Sequence, residues 1–455
     1  MAMPDKNDDG LKRELTSFQQ AMIAIGGIVG VGLFLGSGAT IGLAGPGVVV
    51  TYLLGAIVAL AMGLALAEMA IVHPVAGAFA IYADEYVGRW AGFLTRLTYW
   101  FAEMFALGAM VTAVGVYFGF WFPETPSWIF MLAAAALAVG LNALHVGRFG
   151  FLESAFSSIK VAAILLFIVL GAVIVLGQGF DNLTSQAGFF PNGLSGVGLA
   201  LTLVLASFLG IEAVSITAAE AERPERTVPR ALLGVVGTLI VLYVASMLVI
   251  VTVTPWRSVA ETSGTLTGSP FVKVFAQAGI PYAGTVMNFV VVSTALTALI
   301  SHVYLATRML YSLAREGYAP AALAVVDERG VPMRALAGST GGLVLAVILA
   351  VYGQQAFLPL YGTGVAALLS IWLLIFLCHA RFRQRWPAEK IAALPVRVPA
   401  HPIPSIVASI IIVAALAVTP WVAGLTWTVP MLMIWLVLAG SGYAIWFRRG
   451  QQNHG

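Results

Sequence analysis

The sequence predicts an all-α integral membrane protein with twelve transmembrane helices, and three observations carry that prediction. Of 455 residues, 60% are hydrophobic and 9% are charged, against about a quarter charged in a soluble domain. The apolar residues gather into runs of about 20, the length that crosses a bilayer as a helix. The gaps between runs are short, the longest being 254–282, so no soluble domain fits.

The runs are approximately 17–41, 47–71, 92–120, 127–146, 153–177, 195–219, 231–253, 283–312, 334–352, 358–380, 403–422 and 427–447. The third and eighth exceed a bilayer's need and are expected to tilt or project beyond the hydrocarbon. The sixteen residues before the first run are polar and mixed in sign. The run itself is too long for a signal peptide, so the first span is expected to stay in the mature protein.

The net charge of +3 and pI of 9.0 concern orientation rather than nucleic acid. Lys160 lies inside a span, and Arg257 and Lys273 lie in one odd-numbered gap. The remaining lysines and arginines fall at the termini or in and beside the even-numbered gaps. The positive-inside bias places both termini in the cytoplasm of a multi-pass cell-membrane protein.

The first run holds six glycines between Gly26 and Gly38. Each interior glycine costs roughly 1 kcal/mol of helix stability against alanine. Two readings stand side by side. Gly26-x-x-x-Gly30 and Gly32-x-x-x-Gly36 fit the small-residue pattern of close helix packing. Alternatively the helix is interrupted, which a membrane tolerates where backbone lines a cavity, as at carrier binding sites. Five runs later, Ser207-Phe-Leu-Gly-Ile-Glu212 interrupts the sixth with a glycine and an acid. Five is odd, so the two interrupted helices run in opposite directions, as an inverted five-plus-five repeat requires.

Ionisable groups inside apolar runs are costly and are functional candidates. Here they are Glu68, Glu103, Lys160, Glu212 and Glu220, with His302 and Arg308 in the eighth run. Lys160 can hold a fixed positive charge or exchange a proton; its alternative is to snorkel to the near interface. Glu212 can meet a substrate ammonium, carry a coupled proton, or bond unwound backbone. Glu103 offers proton coupling or a helix–helix bond. Glu68 sits near a cytoplasmic end, as a structural or inner-gate residue. Glu220 and Glu222 open a charged run expected to form local ion pairs in a cytoplasmic loop.

Other chemistries find no residues to carry them. The single cysteine, Cys378, excludes an intramolecular disulfide and a cysteine-based metal cluster. The six histidines are scattered without metal-ligand spacing. Gly36-Ser-Gly-Ala-Thr-Ile-Gly42 lacks the strand and spacing of a nucleotide loop. No enzyme, cofactor or metal is expected. A channel is disfavoured too, because no polar filter or charge ring repeats.

Several stretches together carry a family resemblance: Gly26-Gly-Ile-Val-Gly-Val-Gly-Leu-Phe-Leu-Gly-Ser-Gly38 with Ala44-Gly-Pro46, and Glu68-Met-Ala-Ile-Val-His-Pro-Val-Ala-Gly-Ala-Phe79. Ser207-Phe-Leu-Gly-Ile-Glu-Ala running into Glu220-Ala-Glu-Arg-Pro-Glu-Arg-Thr-Val-Pro-Arg230 is the most specific. Thr307-Arg-Met-Leu-Tyr-Ser-Leu-Ala-Arg-Glu-Gly317 and Gly330-Val-Pro332 complete it. The chain resembles the amino acid permeases of the amino acid–polyamine–organocation (APC) superfamily, in the bacterial amino acid transporter branch.

The resemblance implies the APC fold, with discontinuous first and sixth helices. Residues 17–380 would form the transport core, as halves 17–177 and 195–380. Two additional helices would follow at 403–447, between cytoplasmic tails 1–16 and 448–455. It also implies a site: amides of Val29, Gly30, Val31 and Gly32 would hold a substrate carboxylate. Carbonyls around Ala206, Ser207, Phe208 and Gly210 would hold the ammonium, and Phe101, Phe105 and Phe208 would wall the side chain. Lys160 would replace a sodium ion between the first and fifth helices, making coupling proton-based, with Glu212 and Glu103 as further candidates. The expected activity is proton-coupled amino acid import by alternating access. The alternative is an exchanger or amine permease of the same fold, with Glu212 a direct cation ligand. The individual amino acid and the oligomeric state stay open, with aromatics in the pocket leaning towards a neutral substrate.

Three departures from the family pattern bear on the site. Val31 supplies no hydroxyl where many relatives have one. Ile300-Ser-His-Val-Tyr304 loses an asparagine and gains His302. Arg96-Leu97 replaces a usual Gly-Trp.

Overall fold

The computed structural model describes residues 15–34, 36–73, 78–144, 146–184, 187–216, 223–261, 269–277, 279, 282–352 and 357–452. Every described element is helical, as an apolar chain in lipid must be to satisfy its backbone within each segment. The first run divides into α1 (Ser17–Ile28), α2 (Val31–Phe34) and α3 (Gly36–Ala44). Thr16 opens α1 with a capping box, exchanging hydrogen bonds with Gln19, a device worth about 1 kcal/mol. The second run is α4 (Val48–Val72), followed by the short α5 (Ala78–Tyr86). The third to fifth runs are α6 (Arg89–Phe118), α7 (Ser127–Asn142) and α8 (Val146–Gln178).

The sixth run divides into α9 (Gly193–Ala206) and α10 (Ala213–Ile216), and the seventh is α11 (Pro224–Val253). Two short helices, α12 (Trp256–Glu261) and α13 (Pro270–Gln277), occupy the long gap before α14 (Ala283–Arg315). Then come α15 (Met333–Tyr352), α16 (Phe357–Arg385), α17 (Ala388–Ala392), α18 (Ile403–Ala417) and α19 (Thr428–Gln452). Each of the twelve apolar runs thus holds a helix or a broken set of helices. Among the described residues, seven helices are long and apolar enough to cross a membrane, with three shorter apolar ones beside them. The breaks in the first and sixth runs are one reason those runs fall below that length.

The core is built around α6 and α14, which pack along each other, with α16 against α6 and α4 against α11. The broken first run threads through this core, α1 touching α8, α11 and α14. Along α8, Phe151, Ile159, Leu166, Val173 and Leu176 are exposed, as are Ile403, Ile410 and Val413 of α18. Such stripes have no reason to face water and mark the lipid side. Some buried polar groups inside brace one helix to another. Arg96, fully buried, meets Asp84 of α5 at 2.7 Å and donates from Nε to Ser312 of α14 at 3.1 Å. The Arg-Leu departure from the family pattern is therefore a brace joining α5, α6 and α14.

Candidate functional site

Both helix breaks fall on the segments where glycine interrupts an apolar run. Val29 closes α1, its N–H still reaching Ile25 O at 2.8 Å while its ψ of 85° leaves the helical region. The amides that open α2 then have no partner within a helix. On the other side, residues 207–212 form successive turns between α9 and α10. Gly210 has φ +104° there, and a Cβ on it would lie 2.7 Å from Ile28 Cγ1. Only glycine meets both conditions. The breaks are thus packed on each other, and Tyr243 donates its hydroxyl to Ile28 O at 3.3 Å.

A small cavity of about 40 Å³ lies between the breaks. Gly27, Ile28 and Gly32 line it from the first run and Ala206 and Leu209 from the sixth, with Ala106 and Met110 of α6 and His302 of α14. Tyr361, Gly364, Val365 and Leu368 close it from α16. The volume leaves room for no more than a few waters, each needing about 10–15 Å³ of such space. Any larger occupant therefore requires the breaks or α16 to move apart. A Cβ on Gly32 would sit 2.5 Å from Tyr361 Oη and 3.5 Å from Ser207 Oγ, so the glycine is what lets the two broken segments meet α16.

Charged groups ring this junction. Lys160, buried on α8, donates to Gly26 O at 2.7 Å, one turn before the first break. Glu153 lies two turns earlier on the same face of α8 and accepts from Ser301 of α14 at 2.8 Å. A side chain at Gly26 would run into the Glu153 carboxylate and Ser157 Oγ. His302 Nδ1 and Glu103 Oε2 form a buried pair at 2.6 Å between α14 and α6. Glu212 accepts from Gly210 N through both oxygens, at 3.1 and 3.2 Å, and from Trp372 Nε1 of α16 at 2.9 Å. Its carboxylate thus braces the sixth-run break to α16.

Val29, Gly30, Gly32, Ala206, Ser207 and Gly210 all lie at this junction, but the three phenylalanines point elsewhere. Phe208 packs into an aromatic group with Tyr52 and Tyr243, and Phe101 stacks on Trp435 at 3.8 Å. Phe105 lines a separate cavity of about 290 Å³ with Thr363, Trp427 and Met431. The backbone of Val31 begins α2, while its side chain lies outside the described residues, as do Glu220 and Glu222. Arg308 stacks over the Tyr304 ring at 4.7 Å. Sequence reasoning missed Glu153, Ser301, Tyr361 and Trp372. A carboxylate seven residues before a buried lysine was the available signal for Glu153.

Glu68 belongs to another cluster, at the far end of α4. It meets Arg383 Nε at 2.5 Å, accepts from Val398 N at 2.8 Å and lies 3.5 Å from His379. His401, in the loop before α18, stacks edge-on to His379 at 5.0 Å. Burial first, then neighbouring His379 and Arg383, hold His401 below the ordinary imidazole range.

An all-helical, multi-pass chain whose two broken helices meet over a buried cavity defines a membrane protein of the carrier class. Comparison with known proteins sharpens this. The amino acid permease family model matches residues 19–453. The uncharacterized amino acid permease YtnA of Bacillus subtilis (strain 168) is 36% identical over 453 residues, covering 96% of each chain. The aromatic amino acid transport protein AroP of Escherichia coli (strain K12) is 35% identical over 451 residues, covering 96% of each. AroP of Salmonella typhimurium (strain SL1344) is 35% identical over 453 residues, covering 97% of each. The chain belongs to the amino acid permease family of the APC superfamily, a family of membrane transporters rather than enzymes.

Proposed function

We propose that the protein imports an amino acid with an apolar or aromatic side chain by proton-coupled alternating access. The observation that carries this is the meeting of the two helix breaks over one cavity, beside a buried lysine bonded to Gly26 O. The amides opening α2 offer donors to a carboxylate, in keeping with the preference of helix starts for anions. Carbonyls near Ala206 and Ser207 offer acceptors to an ammonium. Ala106, Met110, Leu209, Val365 and Leu368 form an apolar wall, and two relatives are named for aromatic amino acid transport.

The amine-permease alternative needs Glu212 as a direct cation ligand. Its oxygens already accept from Gly210 N–H and the Trp372 indole, which favours a bracing role and hence an amino acid substrate. For coupling, the Lys160 ammonium holds α1 to α8 through Gly26 O. Loss of its proton weakens that bond and frees the stretch leading into the break. Exchange of a proton at Lys160 is thereby tied to the movement that opens the cavity, with Glu153 on the same face as its electrostatic partner.

Competition in proteoliposomes tests the substrate assignment. Phenylalanine and leucine are expected to block uptake, while their decarboxylated amines fail to do so. Equal competition by the amines overturns it and supports the amine permease.

A further inference from the structure

A third cavity, of about 420 Å³, lies away from the transport site where α1 and α11 begin. It is lined by Thr16, Ser17 and Phe18 on one side and by Arg223, Arg226, Thr227 and Arg230 on the other. Among the described residues, the three guanidinium groups make no ion pair or hydrogen bond. Two helix starts converge on them, adding the positive ends of their dipoles. Phe18 is 59% exposed at the rim.

The arginines continue into an apolar track on the same helix. Arg226, Arg230, Gly234, Gly237 and Val241 are all exposed, and their spacing of three and four places them on one face. A Cβ on Gly234 or Gly237 would meet nothing within 4 Å, so the track is an open helix face rather than a packed seam. From Arg230 to Val241 it rises roughly 16 Å, about the depth of one leaflet's hydrocarbon. A triple cation at the membrane edge above an open apolar face matches a charged headgroup above its acyl chain.

We propose that this corner binds one anionic phospholipid from the leaflet on the side of the amino terminus. Its phosphodiester lies among Arg223, Arg226 and Arg230 with the hydroxyls of Ser17 and Thr227. One acyl chain runs along Gly234, Gly237 and Val241, beside Phe18. Neutral lipid lacks the charge to occupy the site, and a soluble phosphate lacks the chain.

Native mass spectrometry of the purified full chain tests this with phosphatidylglycerol, phosphatidylcholine and soluble glycerol phosphate as probes. Phosphatidylglycerol is expected to be retained over phosphatidylcholine. Each Arg→Gln change should cost about fivefold in affinity, the worth of one basic side chain at an anionic surface. Gly237→Leu, which keeps every charge, should also weaken retention by covering the acyl chain's track. An Arg329→Gln/Lys390→Gln/Arg397→Gln control, equal in charge lost, should change nothing. Melting and size-exclusion profiles confirm folding of the Arg223→Gln/Arg226→Gln/Arg230→Gln variant, and Arg230→Gln alone serves if that triple fails to fold. Equal retention of both lipids, or equal loss in the control, overturns the proposal. Glycerol phosphate binding as tightly as the lipid, with Gly237→Leu silent, overturns it in favour of a soluble anion.

Discussion

Replacing Gly32 by alanine puts a methyl where the two broken helices meet α16. That carbon would lie 2.5 Å from Tyr361 Oη, whereas Tyr361 Cζ and Ser207 Oγ stand at 3.6 and 3.5 Å. The hydroxyl must therefore retreat by roughly 1 Å, out of its present place against the two broken segments. Overpacking of this kind costs about 1–3 kcal/mol, equivalent to about 5- to 150-fold in apparent substrate affinity if the site absorbs it. Tyr361→Phe removes the offending oxygen and leaves the two remaining contacts at ordinary distance. Radiolabelled uptake in proteoliposomes should show a large loss for Gly32→Ala. The double variant Gly32→Ala/Tyr361→Phe should transport close to Tyr361→Phe alone. Normal uptake by Gly32→Ala, or no rescue in the double variant, would refute the placement of Gly32 and Tyr361 at the substrate's doorway.

Further expectations follow from the same geometry. Gly26→Ala, whose methyl runs into Glu153 and Ser157, should abolish accumulation with Lys160 intact and the protein monodisperse. Gly210→Ala forces a side chain onto φ +104° against Ile28; the strain of about 1–3 kcal/mol should lower the melting temperature as well as uptake. Arg383→Ala leaves the buried Glu68 carboxylate without its cation, a loss of about 3–5 kcal/mol seen as a lower melting temperature. Pairing Arg383→Gln with Glu68→Gln should recover part of that stability.

The helix breaks were legible because glycine carries its conformational meaning in the residue itself: of the six in the first run Gly30 falls between α1 and α2, and Gly210 falls between α9 and α10. Lys160 was legible because a lysine in an apolar run has few explanations. Side-chain direction was not. In a helix apolar all round, a face turned to lipid and a face turned to the core read alike, so the sequence could not show that Phe208 joins Tyr52 and Tyr243 or that Phe101 stacks on Trp435. Glu153 escaped notice because it stands at the edge of its run, where a carboxylate looks interfacial. Its contact with Ser301 spans 148 positions and exists only once α8 and α14 pack. Trp372 and Tyr361 are ordinary aromatic residues until α16 sets one against Glu212 and the other against Gly32.

Proton coupling through Lys160 is most directly tested by amino acid accumulation in sodium-free proteoliposomes under an imposed inward proton gradient, comparing the native chain with Lys160→Ala. The native protein should concentrate substrate when the gradient is present and only equilibrate it when the gradient is collapsed, and Lys160→Ala should equilibrate it in both cases. Accumulation that ignores the proton gradient but follows a sodium gradient, or that survives unchanged in Lys160→Ala, would contradict the account.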